Sequence, residues 1–403
     1  MQFSFQFSKY LNLIILLSRC TGYRPILDAF KSFASDKCLP DIEELKICKK
    51  DGKQCSSNGR CSSPLQTSFH GPKSNFQWLI PSSLSDLLEI LSSLPMGTKY
   101  RCNFFLLLFK QVFIKIYFFR IISGNTGTGV YKNDGPYNVY INIAKVSELH
   151  ELSSNSQVII GGGVTITDAM GFLGMTGDPV FEGVAHHLKK IASYGIRNQG
   201  SLAGNLMMKH AHPEFPSDVF LCLETVGAKV EIAHANGSKT ETSLTEFLNL
   251  SMEYGVIVSV KFPILEKTSM KKDLNSLWFQ SKPMAQSSQW KFKSYKIMPR
   301  SSNAHAVVNA GFLVKVDVAD NFKILERPRI VFGGINKNFV HAEATETFLI
   351  NRNMNDHAMF LEAMAVLAEE LIPEDDPILH SALYRKQLSL CLLYKVMIIF
   401  SHI

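Results

Sequence analysis

Apolar residues recur at helical spacing in three parts of the chain. The clearest run holds five leucines between residues 84 and 94 at successive intervals of three, one, three and three. Ser83 stands before it as an N-cap, Asp86 follows three positions later, and Pro95 ends the run, which predicts an amphipathic helix. Two further runs near the C-terminus predict helices whose apolar faces are Phe360, Ala363, Met364, Leu367 and Leu371 in the first and Tyr384, Leu388, Cys391 and Leu392 in the second.

Alternating apolar and polar positions predict strands elsewhere. Residues 229–235 alternate and lead into Asn236-Gly237, a dipeptide that favours a tight hairpin turn. Residues 256–262 and 312–318 are also typical of strands, and a short β-prone segment at 157–160 ends in three glycines. Because strands and helices come in separate runs, the pattern predicts an α+β fold and disfavours one doubly wound parallel sheet.

Composition narrows the class of protein. The 403 residues suffice for two or three domains, and the basic residues behind the net charge of +7 are scattered, so no nucleic-acid partner is expected. Eight cysteines are too sparse for a disulfide scaffold and favour a reducing, cytoplasmic location. Residues 103–122 are long enough to span a bilayer, but Lys110 and Lys115 interrupt them, so we expect no stable membrane insertion.

The most informative motif is Gly124-Asn125-Thr126-Gly127-Thr128-Gly129. Its glycines let the backbone approach a ligand, and the Asn and Thr side chains add donors, which suits a diphosphate. The spacing is not the Rossmann fingerprint, because Lys132 stands where a third glycine is required, and no Walker A motif occurs in the chain. A glycine-rich hairpin without a ligand is the alternative.

A second motif, Gly200-Ser201-Leu202-Ala203-Gly204-Asn205, has the same character and predicts another donor-rich turn. Asp218 follows it as a carboxylate that could accept a ribose or ribityl hydroxyl. Four histidines nearby lack a third ligand at a recognisable metal spacing, and we interpret them as solvent-facing loop residues: His186, His187, His210 and His212.

Taken together, these segments resemble the molybdenum hydroxylases, the family of xanthine dehydrogenase and aldehyde oxidase. Residues 19–26, Arg-Cys-Thr-Gly-Tyr-Arg-Pro-Ile, resemble the end of the family's second 2Fe-2S domain. Residues 121–128 resemble its flavin diphosphate loop, and residues 201–205 with Asp218 resemble its second FAD loop. Residues 333–336 with His341, Ala342 and Glu346, and then Tyr384-Arg385-Lys386, resemble the C-terminal subdomain of the flavin module.

The resemblance implies a set of FAD contacts. They are Ile121, Ile122, Ser123, Gly124, Asn125, Thr126, Gly127 and Thr128 in the first loop, Ser201, Leu202, Ala203, Gly204 and Asn205 in the second, and Ile191, Asp218, Ile257 and Lys296 outside both. No catalytic residue is implied. Lys296 would place a cation beside the flavin, where it could favour the reduced, anionic form.

The resemblance also implies a domain order. Residues 1–30 would be a remnant of the second 2Fe-2S domain, 31–75 a linker and 76–268 a PCMH-type FAD-binding domain of two α/β subdomains. Residues 269–290 would be an insertion or loop, and 291–403 an α+β C-terminal domain with an antiparallel sheet. Three stretches read like translated non-coding sequence: 1–17, 101–120, which would intrude before the diphosphate loop, and 273–290.

Departures from the family limit the expected activity. Ser18 replaces the first cysteine of the family's Cys-Arg-Cys, so Cys20 is a vestigial ligand and no 2Fe-2S cluster is expected. The molybdenum cofactor belongs to domains that this sequence does not include. The family implies electron flow from iron-sulfur clusters through FAD to NAD or oxygen, and a homodimer. Two alternatives stay open: a stand-alone flavoprotein subunit, and an inactive fragment or misjoined gene model.

Overall fold

In the computed structural model, one compact unit, Gln66–Ile403, contains every residue whose structure is described. The described residues are 68–70, 76–94, 99–100, 118–128, 130–131, 137–155, 157–263, 265, 288–375 and 380–402. The predicted 2Fe-2S remnant with Cys20, most of the linker, residues 101–117 of the intrusive segment and residues 269–287 of the insertion lie outside them.

The first sheet is mainly parallel and has the order β1-β2-β5-β4-β3. Its strands are β1 Ser68–His70, β2 Gln77–Leu79, β3 Lys99–Tyr100, β4 Phe118–Ile122 and β5 Val139–Asn142. Only β1 runs antiparallel to its neighbour. Helix α1, Leu84–Ser93, buries Leu87 and Leu91 in the same core as Phe119 of β4. The predicted cap is confirmed, because the Ser83 hydroxyl accepts the backbone N–H of Asp86 at 3.1 Å.

The second sheet is antiparallel and has the order β6-β7-β10-β8-β9. Its strands are β6 Leu152–Ser153, β7 Ile159–Gly161, β8 Lys229–His234, β9 Lys239–Ser243 and β10 Gly255–Lys261. The helices of this part are α2 Ile166–Met175, α3 Pro179–Leu188, α4 Tyr194–Arg197, α5 Leu202–Ala211, α6 Asp218–Val226 and α7 Leu244–Phe247, with a 3-10 turn at Ser147–His150. The predicted hairpin at Asn236-Gly237 is confirmed as the connection of β8 and β9.

The third sheet is antiparallel, has the order β11-β12-β14-β15, and carries β13 on β12. Its strands are β11 Ser288–Ile297, β12 Val308–Asp317, β13 Lys323–Ile324, β14 Arg329–Gly333 and β15 Val340–His341, and its helices are α8 Glu343–Leu349, α9 His357–Glu370 and α10 Ala382–His402. Two α/β parts followed by an antiparallel sheet with helices confirm the predicted α+β class. Among the described residues, no helix combines the length and apolar character needed to cross a membrane.

Three sequence-based expectations differ from the structure. Strand β4 begins at Phe118, inside the segment predicted to be intrusive, and Phe119 is buried in the core. Strand β1 lies within the predicted linker, and β11 begins at Ser288, inside the predicted insertion. Short strands escape prediction because pairing with distant neighbours, not local pattern, stabilises them.

The apolar face predicted for α10 is wrong in part. Leu392 is buried, but Tyr384 is 45% exposed and Cys391 is also exposed. Arg385 is buried instead, and its guanidinium donates to the backbone carbonyls of Gly334 and Ile335 at 2.6 and 2.9 Å. Because Arg385 turns inward to make these bonds, the helix presents a different face to the core.

The third sheet packs directly against helices α3 and α6 of the preceding part. Close approach is possible because glycine stands at two contacts. A Cβ on Gly183 would lie 2.6 Å from the Phe292 ring, and one on Gly311 would lie 2.0 Å from the Thr225 hydroxyl. Helix α6 is buried along all nine residues, so it belongs to the core on both sides.

Replacement of Gly311 by alanine should lower the free energy of unfolding by about 1–3 kcal/mol, the usual effect of overpacking a core. Urea unfolding of the full chain measures this loss. Thr225→Ala in the same chain removes the clashing hydroxyl and should restore part of it. Gly174→Ala is the matched control, because nothing lies within 4 Å of its added Cβ. Equal stability of the Gly311→Ala and Gly174→Ala chains would contradict the contact.

A polar network connects the C-terminal end of α6 to the third sheet. Glu224 Oε1 accepts Arg329 Nη2 at 2.8 Å and His341 Nε2 at 2.9 Å, while His341 Nδ1 lies 3.5 Å from Glu346 Oε1. Burial alone would lower the pKa of the His341 imidazole, but hydrogen bonds and negative charge from the two carboxylates outweigh it and raise the pKa to about 9.

Stability should therefore depend on pH through His341. Its folded pKa exceeds the ordinary 6.5, so the contribution is complete below pH 6.5 and is lost as pH rises through about 9. Unfolding free energies measured across this window should fall with pH in the wild-type chain. His341→Gln should be less stable at pH 6.5 and show a flatter profile. The same slope in both chains would show that another group titrates.

Candidate functional site

The first glycine motif follows directly from the end of β4. Ile121 and Ile122 close the strand, and residues 123–128 turn away from it. Among the described residues, no acceptor is found for the backbone N–H groups of residues 123–127. Five consecutive unpaired N–H groups on a partly exposed loop form a surface that attracts anions.

Tight packing holds this loop in place. A Cβ on Gly124 would lie 2.0 Å from the carbonyl oxygen of Gln199, and one on Gly200 would lie 3.1 Å from Thr126 Oγ1. Asn125 adopts a left-handed backbone, φ 53°, and its Oδ1 accepts the Thr128 hydroxyl at 2.6 Å. The loop is therefore preorganised against the turn that precedes the second glycine motif.

The second motif is the start of α5 and differs from the donor-rich turn that the sequence predicts. Ser201 caps the helix by accepting the Gly204 N–H at 3.0 Å. The N–H groups of Leu202 and Ala203 donate to carbonyls of Val164 and Gly162, and that of Asn205 donates to Ser201. These amides are already used, so this segment contributes shape and side chains more than free backbone donors.

Asn205 connects the second motif to α6. Its Oδ1 accepts the Ser217 hydroxyl at 2.5 Å, and Ser217 in turn caps α6 by accepting the Phe220 N–H at 3.0 Å. Asp218, the first residue of α6, is thereby held next to the second motif. The sequence-predicted residues on both loops and on α6 thus form one continuous set of contacts.

Asp218 lies buried among three donors. Its Oδ2 is 2.7 Å from Lys296 Nζ, and its Oδ1 accepts Asn309 Nδ2 at 2.9 Å and lies 3.3 Å from His187 Nε2. Burial alone would raise the pKa of this carboxyl, but the His187 hydrogen bond and the charges of His187 and Lys296 outweigh it. Together with the Asn309 hydrogen bond, they lower the pKa to about 2.

Lys296, like Asn309, joins the third sheet to this cluster. Its ammonium also donates to the carbonyl of Lys190 at 3.1 Å, just after α3, and its side chain is only 3% exposed. The ammonium has three donors, and the third has no acceptor among the described residues.

The two predicted apolar contacts share the core beneath the loops. Ile191 and Ile257 are both buried in the cluster that includes Leu202 and Leu206 of α5. A Cβ on Gly162 would lie 2.3 Å from the Ile257 carbonyl and 3.2 Å from the Ala203 Cβ. Through Gly162, the backbone of Ile257 therefore packs close to the second motif.

Three polar residues of this region were not predicted as site residues. Arg120 of β4 lies beside the first loop, since its Nη2 would be 3.6 Å from a Cβ on Gly127. His187 and Asn309 both contact Asp218. Helical spacing offered a signal for His187, because it follows the buried Val180 and Val184 at intervals of four and three.

The interpretation of the histidines as solvent-facing loop residues is wrong in part. His186, His187 and His210 lie on helices, and His187 is fully buried on α3. His210 Nε2 is 2.8 Å from the Leu250 carbonyl, and His212, which follows α5, stacks on Tyr131 with ring centroids 3.3 Å apart. His186 is exposed, as predicted. Among the described residues, no group of three or more His, Cys, Asp or Glu side chains could hold a metal ion.

This geometry fits a cofactor that carries a diphosphate. The N–H groups of residues 123–127, which have no acceptor in the described part of the chain, offer donors, and the guanidinium of Arg120 beside them adds positive charge. Gly124 and Gly200 allow the two segments to approach each other closely. Lys296 offers one further donor at the edge of the same set of contacts.

Two protein-family models match the chain. Residues 111–265 match the FAD binding domain in molybdopterin dehydrogenase, and residues 293–399 match the CO dehydrogenase flavoprotein C-terminal domain.

Plant aldehyde oxidases are similar to nearly the whole chain. The abscisic-aldehyde oxidase and an indole-3-acetaldehyde oxidase of Arabidopsis thaliana are each 31% identical to it over 94% of its length. The chain spans only 28% and 27% of the length of these two relatives.

Solved structures share the fold. Quinoline 2-oxidoreductase from Pseudomonas putida 86 matches 81% of this chain and 96% of its own, with a TM-score of 0.59 and 21% identity. CO dehydrogenase from Oligotropha carboxidovorans matches 79% and 95%, with a TM-score of 0.59 and 15% identity. At these identities the likeness concerns the fold alone.

Proposed function

The chain belongs to the xanthine dehydrogenase and aldehyde oxidase family, of which it carries the flavin-domain region, and on that premise we propose that it is an electron-transferring FAD module. In a complete enzyme, FAD would receive electrons from iron-sulfur clusters and pass them to NAD or oxygen. The observation that carries the proposal is the run of backbone N–H groups at residues 123–127 that have no acceptor among the described residues and that Gly124 fixes against Gln199. Such a loop suits the FAD diphosphate.

Several residues of the site have a task in this proposal. Residues 123–127 would donate to the diphosphate, and Arg120 would neutralise part of its charge. Asn205 would hold α5 against α6 through Ser217. Lys296 would direct its remaining donor toward the flavin, and Asp218 would anchor Lys296. The hydroxyl contact of Asp218 inferred from the family stays a prediction.

The chemistry of the module belongs to the cofactor. FAD, when bound, supplies a group that can accept and release electrons. The residues of this chain supply binding, orientation and electrostatics. A fixed ammonium at Lys296 would favour negative charge on the neighbouring flavin, since opposite charges in a buried site attract strongly.

Titration of the purified full chain tests the proposal. We expect a yellow protein with one FAD per chain, and an apoprotein that binds FAD at least about tenfold more tightly than riboflavin, which lacks the diphosphate. Asn205→Ala should lower FAD occupancy, while Gly171→Ala, which adds a Cβ in open space on α2, should not. Equal affinity for riboflavin and FAD would refute the diphosphate role of the first loop.

A stand-alone flavoprotein subunit is the second candidate. One observation favours it: the matched chains of quinoline 2-oxidoreductase and CO dehydrogenase are covered over 96% and 95% of their length, so a separate chain of this content exists elsewhere. Co-purification of iron-sulfur and molybdenum chains with this protein would support that arrangement. A colourless chain that takes up no FAD would support the third possibility, an inactive fragment.

A further inference from the structure

The two oxygens of the Asp218 carboxylate have different partners. Oδ1 takes two donors, Asn309 Nδ2 and His187 Nε2, whereas Oδ2 takes Lys296 Nζ at 2.7 Å. Since an ionised carboxylate only accepts, the His187 Nε2 facing it must carry a proton. The partners come from three different elements, α3, β11 and β12, so the orientation of the carboxylate is fixed from three sides.

Because Oδ1 and Oδ2 have different partners, the position of the Lys296 ammonium is determined. With Oδ1 occupied from both α3 and β12, the carboxylate cannot turn to share both oxygens with Lys296. The ammonium is therefore held by one oxygen of Asp218 and by the Lys190 carbonyl at 3.1 Å, and one donor remains. If a donor to Oδ1 were lost, the carboxylate would carry more uncompensated negative charge and could draw the ammonium toward itself.

Within the described part of the chain, His187 has no other polar contact that explains its burial. Its side chain is 0% exposed, and no described residue forms a hydrogen bond with its Nδ1. A buried polar atom without a partner is unfavourable, so an apolar residue would pack here at lower cost if the ring only filled space.

We propose that His187 is a positioning residue which, together with Asn309, occupies Oδ1 of Asp218 and so holds the Lys296 ammonium in place for the flavin. The inference rests on the proposed FAD site and assigns a task to two residues outside the predicted contact set. Neither residue need touch the cofactor, because both act through Asp218.

The midpoint potential of bound FAD in the full chain tests this role. His187→Leu removes the donor, and we expect the reduced flavin to bind about tenfold less tightly relative to the oxidised form, which lowers a two-electron potential by about 30 mV. His187→Gln retains an N–H donor and should return the potential to the wild-type value. A merely structural residue would change stability or occupancy without this pattern.

Asn309→Ala is the second variant, because it removes the other donor to Oδ1 and should lower the potential in the same direction. If His187→Leu does not fold, Asn309→Ala still tests whether the donors to Oδ1 set the potential. Wild-type potentials in His187→Leu and Asn309→Ala, or an equal shift in His187→Leu and His187→Gln, would overturn the role of His187. A wild-type chain that takes up no FAD would instead overturn the proposed function, and this inference with it.

Discussion

Alanine at position 124 should weaken FAD binding severely while leaving the chain folded. The added Cβ would lie 2.0 Å from the Gln199 carbonyl oxygen and 2.5 Å from its carbon, both of them backbone atoms. The loop must then move away from the turn at Gln199 and Gly200, which displaces the N–H groups of residues 123–127. Because each lost hydrogen bond to a charged group weakens binding by about 1.5–3 kcal/mol, we expect an affinity loss of about a hundredfold or more.

Fluorescence titration of the apoprotein with FAD measures this loss, and circular dichroism verifies the fold. Gly127→Ala is an informative companion, because its Cβ would meet the Met208 methyl at 2.8 Å. That methyl is the end of a flexible side chain and can move, so we expect a much smaller effect. Unchanged FAD affinity in the Gly124→Ala chain would mean that the first loop does not hold the cofactor.

Removal of the Asp218 carboxylate should be the most destabilising single change in the site. Asp218→Ala leaves the Lys296 ammonium, 3% exposed, without the one anionic partner that it has among the described residues. Breaking a buried ion pair in this way lowers the free energy of unfolding by about 3–5 kcal/mol. Lys296→Met should be milder, because the remaining carboxylate keeps hydrogen bonds from His187 and Asn309.

Urea unfolding at neutral pH compares these variants. The control is Glu326→Ala, which breaks the ion pair with Lys315 and removes a carboxylate that is 52% exposed. Its partner Lys315 is only 11% exposed, but the carboxylate is half in water, so the loss should be well below that of the buried Asp218–Lys296 pair. A loss after Asp218→Ala no larger than after Glu326→Ala would show that the cluster is hydrated in solution.

Local rules predicted those elements whose signals lie close together in sequence. Helix α1 follows from its leucine spacing and from Ser83, and the β8–β9 hairpin follows from Asn236-Gly237. The burial of Arg385 could not be predicted in this way. Its acceptors at Gly334 and Ile335 lie 51 and 50 residues earlier, and only the packed structure brings them together.

In the site, too, local signals were predictable from the sequence and long-range contacts were not. The first glycine motif is visible in sequence, and the structure adds that its N–H groups are unpaired while those of the second motif are not. Asp218 and Asn309 are 91 residues apart, and His187 precedes Asp218 by 31. No spacing rule joins these positions, because the contact arises where α3, α6 and the third sheet meet.

Helix α6 has a consequence for how the protein folds. The helix is about 13 Å long and has no solvent face. Asp218 at its start binds Lys296, and Glu224 near its end binds Arg329, so each end is joined by charge to the third sheet. If the two segments that match family models, residues 111–265 and 293–399, separated, the side of α6 that packs against the third sheet would become exposed to solvent. We therefore expect hydrogen exchange to show that both segments unfold as a single cooperative unit. The boundary between them is visible in the sequence, but the two sides should not fold separately.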